Sequence, residues 1–180
     1  MNYCSHCGSA RLVLKVPEGD CLPRYVCEDC HTIYYQNPKI VTGCIPEWED
    51  KILLCKRAIE PRYGLWTLPA GFMENKETLE QAAKRETWEE AKANVNQLSL
   101  YTVFSLPHIS QVYIMFRASL GDLTFAPGYE SLEVQLFTQD KIPLENLAFP
   151  VIHRTLTYYF QDRAKGEFSL HLDQDDALLK

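Results

Sequence analysis

The amino-acid sequence predicts a mixed α/β domain whose helices pack on a sheet, preceded by a small cysteine-rich unit. Two observations predict the domain: strand-like runs rich in β-branched and apolar residues recur from residue 39 onward, and one helical segment lies early and one late among them. The paired cysteines of the first 35 residues predict the appended unit. We therefore expect this unit at residues 1–35, the main domain at residues 36–166, and a polar, partly flexible tail at residues 167–180.

Composition and charge limit the classes of function. The 180 residues are 46% hydrophobic, enough for one core, and the net charge of −6 argues against broad binding to nucleic-acid backbones. No run is apolar enough to span a bilayer, and no basic segment followed by an apolar stretch opens the chain. Seven cysteines, an odd number, fit a reducing compartment better than a disulfide framework. We expect a soluble, cytoplasmic protein.

The first element is a pair of cysteine knuckles. Two Cys-x-x-Cys pairs comprise Cys4, Cys7, Cys27 and Cys30. Each pair can place two thiolates on one turn, and four thiolates can close a tetrahedron around Zn²⁺. Such a zinc ion would be structural, because no coordination position stays open for water, and it would supply folding energy to a segment with few apolar residues.

The cysteine-rich unit also allows alternatives to a zinc site with four cysteine ligands. The cysteines could be unmodified or disulfide-linked, and His6 or His31 could substitute as ligands, although four cysteines make that unnecessary. Short strands are expected at Leu12–Val16 and Arg24–Val26. Since the unit carries few basic residues, we favour a scaffolding role over nucleic-acid binding.

The strands of the main domain follow from apolar runs bounded by turn residues. Strands are predicted at Lys39–Ile45, Lys51–Arg57, Leu98–Leu106, Gln111–Ser119 and Glu133–Thr138, with a short extended piece at Trp66–Leu68. Turns or loops are predicted at Pro46–Asp50, Pro61–Gly64 and Pro143–Leu147. A late helix is predicted at Val151–Asp162, because Ile152, Leu156 and Tyr159 fall on one stripe.

The early helix is predicted from about Glu77 to Ala93, because its Glu, Gln, Ala, Lys and Arg residues favour helix. Asn75 is a candidate N-cap. One side of this helix carries three carboxylates that repel one another, within an arc of about 100°: Glu86, Glu89 and Glu90. Hard divalent cations such as Mg²⁺ or Mn²⁺ remove that repulsion, since they prefer carboxylate oxygens.

A solvated acidic helix with salt bridges is the alternative, but the residues at fixed offsets before it make this less plausible. The full pattern is Gly71-x5-Glu77-x7-Arg85-Glu86-x-x-Glu89-Glu90. This pattern resembles the Nudix box of the Nudix hydrolases. Thr87 and Lys92 depart from the family, which usually has an aliphatic residue and a glycine at these positions.

The resemblance implies a fold and a set of site residues. It implies an α/β/α sandwich with a mixed sheet, in which Glu77 supports Arg85. It implies that Mg²⁺ or Mn²⁺ is bound by Glu86, Glu89, Glu90 and the carbonyl of Ala70. A homodimer is implied by the family alone.

The resemblance extends from about residue 4 to residue 160. The ribbon and several flanking segments resemble plant-type FAD pyrophosphatases: Tyr35–Lys39, Leu53–Arg57, Gly64–Gly71 and Phe125–Gly128. The related NADH pyrophosphatases carry a Ser-Gln-Pro-Trp-Pro-Phe-Pro run that is missing here, where the chain has Ser105–Tyr113 instead. We therefore expect hydrolysis of FAD to FMN and AMP, with ADP-ribose or NADH as alternatives.

The expected chemistry is attack of a metal-bound water on one phosphorus of a dinucleotide-type diphosphate. The residues expected to act in catalysis are Glu86, Glu89, Glu90, Glu133 and Arg85, with Glu89, Glu90, Glu130 or Glu133 as general base. The residues expected to bind substrate are Arg57, Arg62, Trp66, Phe72 and Gln111, with His108 as a further candidate. Core packing is the alternative for Trp66, and an ordinary surface loop is the alternative for Glu130–Glu133.

Two other functional classes stay open. A catalytically silent nucleotide sensor is one, although every carboxylate of the box is present. A protein that removes nucleotide caps from RNA is the other, although the acidic composition disfavours binding to nucleic acid.

Overall fold

The computed structural model describes residues 1–174 and divides the chain into two compact units, Met1–Asn37 and a larger one that begins at Pro38. The first unit is a three-stranded antiparallel sheet in the order β1-β2-β3. Its strands are β1 (Leu12–Lys15), β2 (Arg24–Cys27) and β3 (Ile33–Tyr34). The sequence predicted β1 and β2, whereas β3, with only two residues, carries no pattern that could be recognised.

The second unit is built on an eight-stranded mixed sheet. Its main path runs β10-β5-β4-β9-β8-β11, with β6 paired to β5 and β7 paired to β4. The strands are β4 (Lys39–Trp48), β5 (Lys51–Arg57), β6 (Trp66–Thr67), β7 (Ala70–Phe72), β8 (Val95–Leu106), β9 (Gln111–Leu120), β10 (Ser131–Thr138) and β11 (His171–Gln174). The pairs β4–β9 and β8–β11 are parallel and the others are antiparallel.

Two helices cover the two faces of this sheet: α1 (Leu79–Ala91) and α2 (Pro150–Lys165). Alternation along β5 shows the arrangement, because Ile52 and Leu54 belong to the core cluster that includes α2 residues, whereas Leu53 and Cys55 belong to the cluster that includes α1 residues. The predicted α/β/α sandwich is therefore confirmed. The predicted stripe of α2 is buried as well, since Ile152, Leu156 and Tyr159 are at most 2% exposed.

The strand β4 is longer than predicted and contains Pro46. The N–H of Cys44 bonds to Pro69 O, on the side of β4 away from β9. The nitrogen of Pro46, two residues later, lies on the same side of β4. On this side the ladder to β7 ends at Gly43 and the ladder to β5 begins at Glu47, so Pro46 lies between the two ladders. No ladder bond is lost there, so the proline is tolerated inside the strand.

The N-cap of α1 is Thr78, and the prediction of Asn75 was wrong. The hydroxyl of Thr78 accepts from the N–H of Gln81, and the Gln81 side chain accepts from the N–H of Thr78. This reciprocal capping box satisfies two backbone donors, whereas a cap at residue 75 would satisfy one. The helix ends at Ala91, and Lys92 follows in the left-handed conformation with φ 51°.

Part of the expected C-terminal tail is a strand. β11 pairs with β8 in register from His171↔Thr102 to Gln174↔Ser105. His171 Nε2 lies 2.7 Å from Asp162 Oδ2 of α2, and the Tyr101 hydroxyl donates to the same oxygen at 3.0 Å. No pattern in the sequence predicts this strand, because its hydrogen-bond partners are distant in the chain. The rest of the expected tail, 175–180, lies outside the described residues.

Within residues 1–174, no helix combines the length and apolar character that a membrane crossing requires.

Candidate functional site

The second unit contains a cavity of about 810 Å³ that is lined by several elements. Strand β7 contributes Ala70, Gly71 and Phe72. Helix α1 contributes one arginine and three glutamates: Arg85, Glu86, Glu89 and Glu90. Strands β5 and β9 add Arg57 and Gln111. The cavity lies within the range of volumes typical of sites for small molecules.

Buried contacts fix the rotation of α1 and therefore the direction of its carboxylates. Thr87 is fully buried on the face that packs on the sheet, and its hydroxyl donates to Ala83 O at 2.8 Å. This bond satisfies the buried hydroxyl of Thr87. A threonine is therefore tolerated at this position, where the family usually has an aliphatic residue. Cys44 of β4 contacts the same carbonyl from the sheet, with Sγ 3.6 Å away.

Gly71 provides the space for the Glu86 carboxylate. A Cβ atom at residue 71 would lie 2.4 Å from Cδ of Glu86 and no more than 2.5 Å from either carboxylate oxygen. The short strand β7 therefore approaches α1 so closely that only glycine fits at residue 71 without displacing the Glu86 carboxylate. This contact gives a physical reason for the glycine at the start of the motif.

Arg85 organises the acidic side chains around it. It binds Glu77 through two bonds of 3.0 and 2.7 Å, and its Nη1 donates to Glu86 at 2.7 Å and to Glu89 at 3.1 Å. Nη2 also donates to Phe72 O at 3.1 Å. Hydrogen bonds from Arg85 lower the pKa of Glu77, which keeps that carboxylate ionised. The structure thus brings together Glu77 and Arg85, the pair that the family resemblance implied.

Glu86 and Glu90 are the buried carboxylates of the cluster, at 9% and 6% exposure. Burial, with repulsion from Glu86, raises the pKa of Glu90 to about 8, although Arg57 and the N–H of Ala70 oppose this shift. Burial also raises the pKa of Glu86, although Arg85 opposes it. Oxygen Oε2 of Glu90 is buried without a hydrogen-bond partner among residues 1–174.

A buried carboxylate oxygen without a partner is costly, by several kcal/mol in order of magnitude. A hard divalent cation would remove that cost and the repulsion between Glu86 and Glu90, because such ions prefer carboxylate oxygens. The donor set of this cluster therefore fits Mg²⁺ or Mn²⁺.

Most of the residues that the sequence singled out lie on this cavity. Those lining it are Arg57, Ala70, Phe72, Arg85, Glu86, Glu89, Glu90, Gln111 and Glu130. Arg57 is held in place, because its Nε donates to Pro61 O at 3.0 Å and its guanidinium lies 5.1 Å from the centre of the Phe149 ring.

Four predicted residues do not line this cavity: Trp66, Glu133, Arg62 and His108. Trp66 is 8% exposed and packs edge-on against Phe137 in the core, at 4.9 Å between ring centres, so the core alternative is the one that the structure shows. Glu133 is directed to the surface beside β5, where it pairs with Lys56 at 3.5 Å. Arg62 is exposed in the loop before β6, with a left-handed φ of 72°. In the turn after β8, Ile109 rather than His108 contributes to the lining.

Other lining residues were not singled out from the sequence. They are mainly apolar or aromatic and include Ile59, Ile109, Tyr113, Tyr129 and Phe149. Single apolar residues in separate loops and strands carry no spacing signal. Only the topology of the sheet brings them together.

The first unit contains a second cluster, made of the four paired cysteines. Their sulfur atoms all lie within 4.8 Å of one another, with Cys4 and Cys30 at 3.5 Å and Cys7 and Cys27 at 3.6 Å. A zinc tetrahedron with Zn–S bonds of ~2.3 Å has sulfur–sulfur edges of about 3.8 Å, so the geometry fits zinc. These distances are far longer than a disulfide bond of ~2.05 Å, and the cysteines are free thiols.

The surroundings lower the pKa of two of the four thiols, Cys4 and Cys30. The N–H of Ser9 also acts to lower the pKa of Cys7, but bonds to the Cys30 and Cys4 thiols outweigh it and leave that pKa raised. The Tyr34 hydroxyl lies 2.9 Å from Cys4 Sγ and lowers the pKa of that thiol to about 6. The N–H of Cys7 also donates to Cys4 Sγ, at 3.4 Å. Deprotonated sulfur is the form that binds zinc.

The sequence matches two models of known protein families. A NUDIX domain model matches residues 37–160, and a Nudix N-terminal model of the zinc-ribbon type matches residues 2–36. The chain is 59% identical to a NUDIX hydrolase of known crystal structure from Nitrosomonas europaea, with 97% of this chain and all of that chain covered and a TM-score of 0.91. An ADP-ribose pyrophosphatase from Streptococcus suis has 21% identity over 76% of this chain and 100% of its own, with a TM-score of 0.60, and shows the fold alone.

Curated relatives carry a more specific name. Proteins named NAD-capped RNA hydrolase NudC from Photorhabdus laumondii and Yersinia enterocolitica are 31% and 33% identical over 79% of this chain. The matches cover 53% and 52% of those proteins, so the chain spans about half the length of the curated relatives it matches.

Proposed function

The chain belongs to the Nudix hydrolase family, and from this premise we propose that it hydrolyses the diphosphate linkage of a dinucleotide-type substrate in a metal-dependent reaction. One observation carries the proposal: the buried carboxylates of Glu86 and Glu90 lie on a cavity beside Arg85, which binds Glu86 and the adjacent Glu89. One oxygen of Glu90 has no hydrogen-bond partner among residues 1–174. This arrangement is unfavourable for stability alone and favourable for binding a cation and a diphosphate together.

Mg²⁺ or Mn²⁺ would be held by Glu86, Glu89, Glu90 and the carbonyl of Ala70. When bound, the metal would supply a water of lowered pKa and would neutralise charge on the phosphate oxygens. Arg85 holds Glu86 and Glu89 in position through its Nη1. Its role is therefore to orient ligands rather than to contact phosphate.

The proton of the attacking water needs an acceptor close to the cluster. Glu89, Glu90 and Glu130 line the cavity and qualify, whereas Glu133 lies outside it in an ion pair with Lys56. We therefore omit Glu133 from the proposed catalytic set. Arg57 lines the same cavity and can offer bidentate donors to a phosphate.

FAD is the leading substrate, with FMN and AMP as products. The segments that resemble plant-type FAD pyrophosphatases support this choice, and the apolar and aromatic lining provides surfaces for ring systems. Phe72 is half exposed on the cavity and is the proposed stacking residue.

NAD-type substrates, including NAD-capped RNA, form a second candidate class. The observation that favours them is the name of the curated relatives, at 31–33% identity. The Ser-Gln-Pro-Trp-Pro-Phe-Pro run of NADH pyrophosphatases is absent at Ser105–Tyr113, which weighs against this class. We rank it second for that reason.

For the first unit we propose a structural zinc ion bound by the four cysteines. Homodimerisation is proposed on the family resemblance alone, and the molar mass in solution tests it.

One panel tests the substrate assignment. The full-length protein would be incubated with Mg²⁺ or Mn²⁺ and with FAD, ADP-ribose, NADH or NAD-capped RNA, and the products identified by chromatography and mass. We expect kcat/KM to be highest for FAD, with FMN and AMP released in equal amounts. A higher kcat/KM for NADH or for capped RNA would replace FAD by the second class. Failure to cleave any diphosphate in the panel would contradict the proposed function.

A further inference from the structure

The segment between β9 and β10 docks on the C-terminal turn of α1. The N–H of Ala126 donates to Ala91 O and the N–H of Gly128 donates to Glu90 O, both at 2.9 Å. The last carbonyls of a helix have no partner within the helix, so these two bonds satisfy groups that otherwise need water. The loop is therefore attached directly to the turn that carries the acidic cluster.

The approach of this loop to the helix leaves no space for a side chain at residue 128. A Cβ atom on Gly128 would lie 1.6 Å from Glu89 O, which is a backbone atom that cannot move aside easily. Two further bonds hold the following residues: Ser131 N–H donates to Gly128 O at 3.1 Å, and Ala58 N–H donates to Glu130 O at 2.8 Å. The backbone is thus fixed immediately before and after residue 129.

The side chain of residue 129, on this fixed backbone, is almost fully exposed to solvent. Tyr129 is 97% exposed, yet it contributes to the lining of the cavity that contains the carboxylates of α1. No hydrogen bond, ion pair or ring contact to its side chain is formed by the rest of residues 1–174. At this exposure the ring buries almost no area against residues 1–174.

We propose that Tyr129 is a substrate-binding residue whose ring stacks on a planar ring system of the substrate, next to the diphosphate at the acidic cluster. The ligand class is a nucleotide that carries such a ring, either adenine or isoalloxazine. A tyrosine suits this role, because it offers a large flat surface with few rotatable bonds, and its backbone is already ordered before binding. The inference rests on the proposed function for the identity of the substrate.

Two variants and one control test this proposal. Tyr129→Ala removes the ring, and Tyr129→Phe keeps the ring while it removes the hydroxyl. Leu123→Ala is the control, because Leu123 is 54% exposed in the same connection between strands and does not line the cavity. Each protein would be measured with FAD and with ADP-ribose as substrates, and separately for binding of AMP and of FMN by calorimetry.

For Tyr129→Ala we expect KM for FAD to rise about tenfold, equivalent to ~1.4 kcal/mol, while kcat changes less than about twofold. Leu123→Ala should match the wild type, and Tyr129→Phe should restore most of the affinity that Tyr129→Ala loses, because it keeps the ring. Weaker AMP binding and a raised KM for ADP-ribose would identify the stacked ring as adenine; weaker FMN binding with ADP-ribose unaffected would identify it as the flavin.

Unchanged KM values and unchanged binding of both AMP and FMN in Tyr129→Ala would overturn the proposal. The binding arm separates this result from failure of the proposed function. If the wild type cleaved no diphosphate, the proposed function would fail, while the effect of Tyr129→Ala on AMP and FMN binding would still decide the role of the ring.

Discussion

Replacement of Gly71 by alanine should separate activity from stability. The added Cβ would lie 2.4 Å from the Glu86 carboxylate, whereas ordinary contact begins at 3.4 Å, so the carboxylate must move by about 1 Å. The atoms that must move are the end of a flexible side chain, so the fold can accommodate the change. A displacement of this size at a reacting centre costs on the order of 100-fold in rate, and we expect kcat to fall by roughly that factor.

The stability of Gly71→Ala should be close to that of the wild type. Loss of the Glu86–Arg85 bond costs about 1 kcal/mol, and the reduced entropy of the unfolded chain contributes about 0.4–1 kcal/mol in the opposite direction. The net change corresponds to a shift in Tm of about 3 °C or less for a chain of this size. Steady-state rates with FAD and Mg²⁺, together with thermal unfolding, measure both quantities.

Two control variants make the result interpretable. Gly121→Ala adds a Cβ that is 3.2 Å from a side-chain atom of Asn96, away from the cavity, and should change neither rate nor Tm appreciably. Gly43→Ala adds a Cβ that is 2.2 Å from the backbone oxygen of Pro69 and should destabilise the fold. A Gly71→Ala protein with wild-type kcat would refute the reasoning, as would one that unfolds as readily as Gly43→Ala.

Three further predictions concern stability. Lys92→Gly should raise the free energy of unfolding by about 1 kcal/mol in chemical denaturation, because Lys92 adopts the left-handed conformation at φ 51°; a loss of stability would contradict this account. Burial raises the pKa of Asp162, but hydrogen bonds from His171 and Tyr101 outweigh it and leave this pKa lowered. The stability that Asp162 contributes is therefore present above its unfolded pKa of ~3.9 and is lost as pH falls through the lower folded pKa. In urea unfolding, the stability of Asp162→Asn should depend less on pH below about 4 than the stability of the wild type. An equal dependence on pH would argue against the prediction. Removal of zinc by a chelator should abolish the ordered amide signals of residues 1–37 in NMR spectra; persistence of those signals in zinc-free protein would rule out a structural zinc ion.

Local patterns in the sequence were sufficient for the helices, most strands and the acidic cluster. The periodic burial of Ile152, Leu156 and Tyr159 was readable because one helix contains all three residues. The carboxylates Glu86, Glu89 and Glu90 were readable for the same reason, since helical geometry alone places them on one side.

Features that depend on distant parts of the chain were not readable. The strand β11 is polar, and only its pairing with β8 makes it a strand. Trp66 and Glu133 lie close in sequence to site residues, but the pleat of the sheet directs Trp66 to the core and Glu133 to the surface.

Short sequence patterns do not decide cap and turn positions by themselves. Asn75 and Thr78 are both good N-cap residues, and the choice depends on the glutamine three residues after Thr78. Tyr129 was overlooked because a single aromatic residue in a loop has no spacing pattern. Its exposure on a fixed backbone is visible only in three dimensions.

We propose that a divalent metal held by the buried carboxylates of α1 supports hydrolysis of a diphosphate by water. The most direct test compares Glu90→Gln with Glu80→Gln, since Glu80 is an exposed residue in the first turn of the same helix and does not line the cavity. The measurement is the rate of AMP release from FAD with Mg²⁺ and with EDTA. We predict that EDTA abolishes the activity and that Glu80→Gln retains it. Glu90→Gln should lower kcat by about a thousandfold or more, which is at least as large as the effect of removing one catalytic hydrogen bond. A Glu90→Gln protein that releases AMP as fast as Glu80→Gln would contradict the claim.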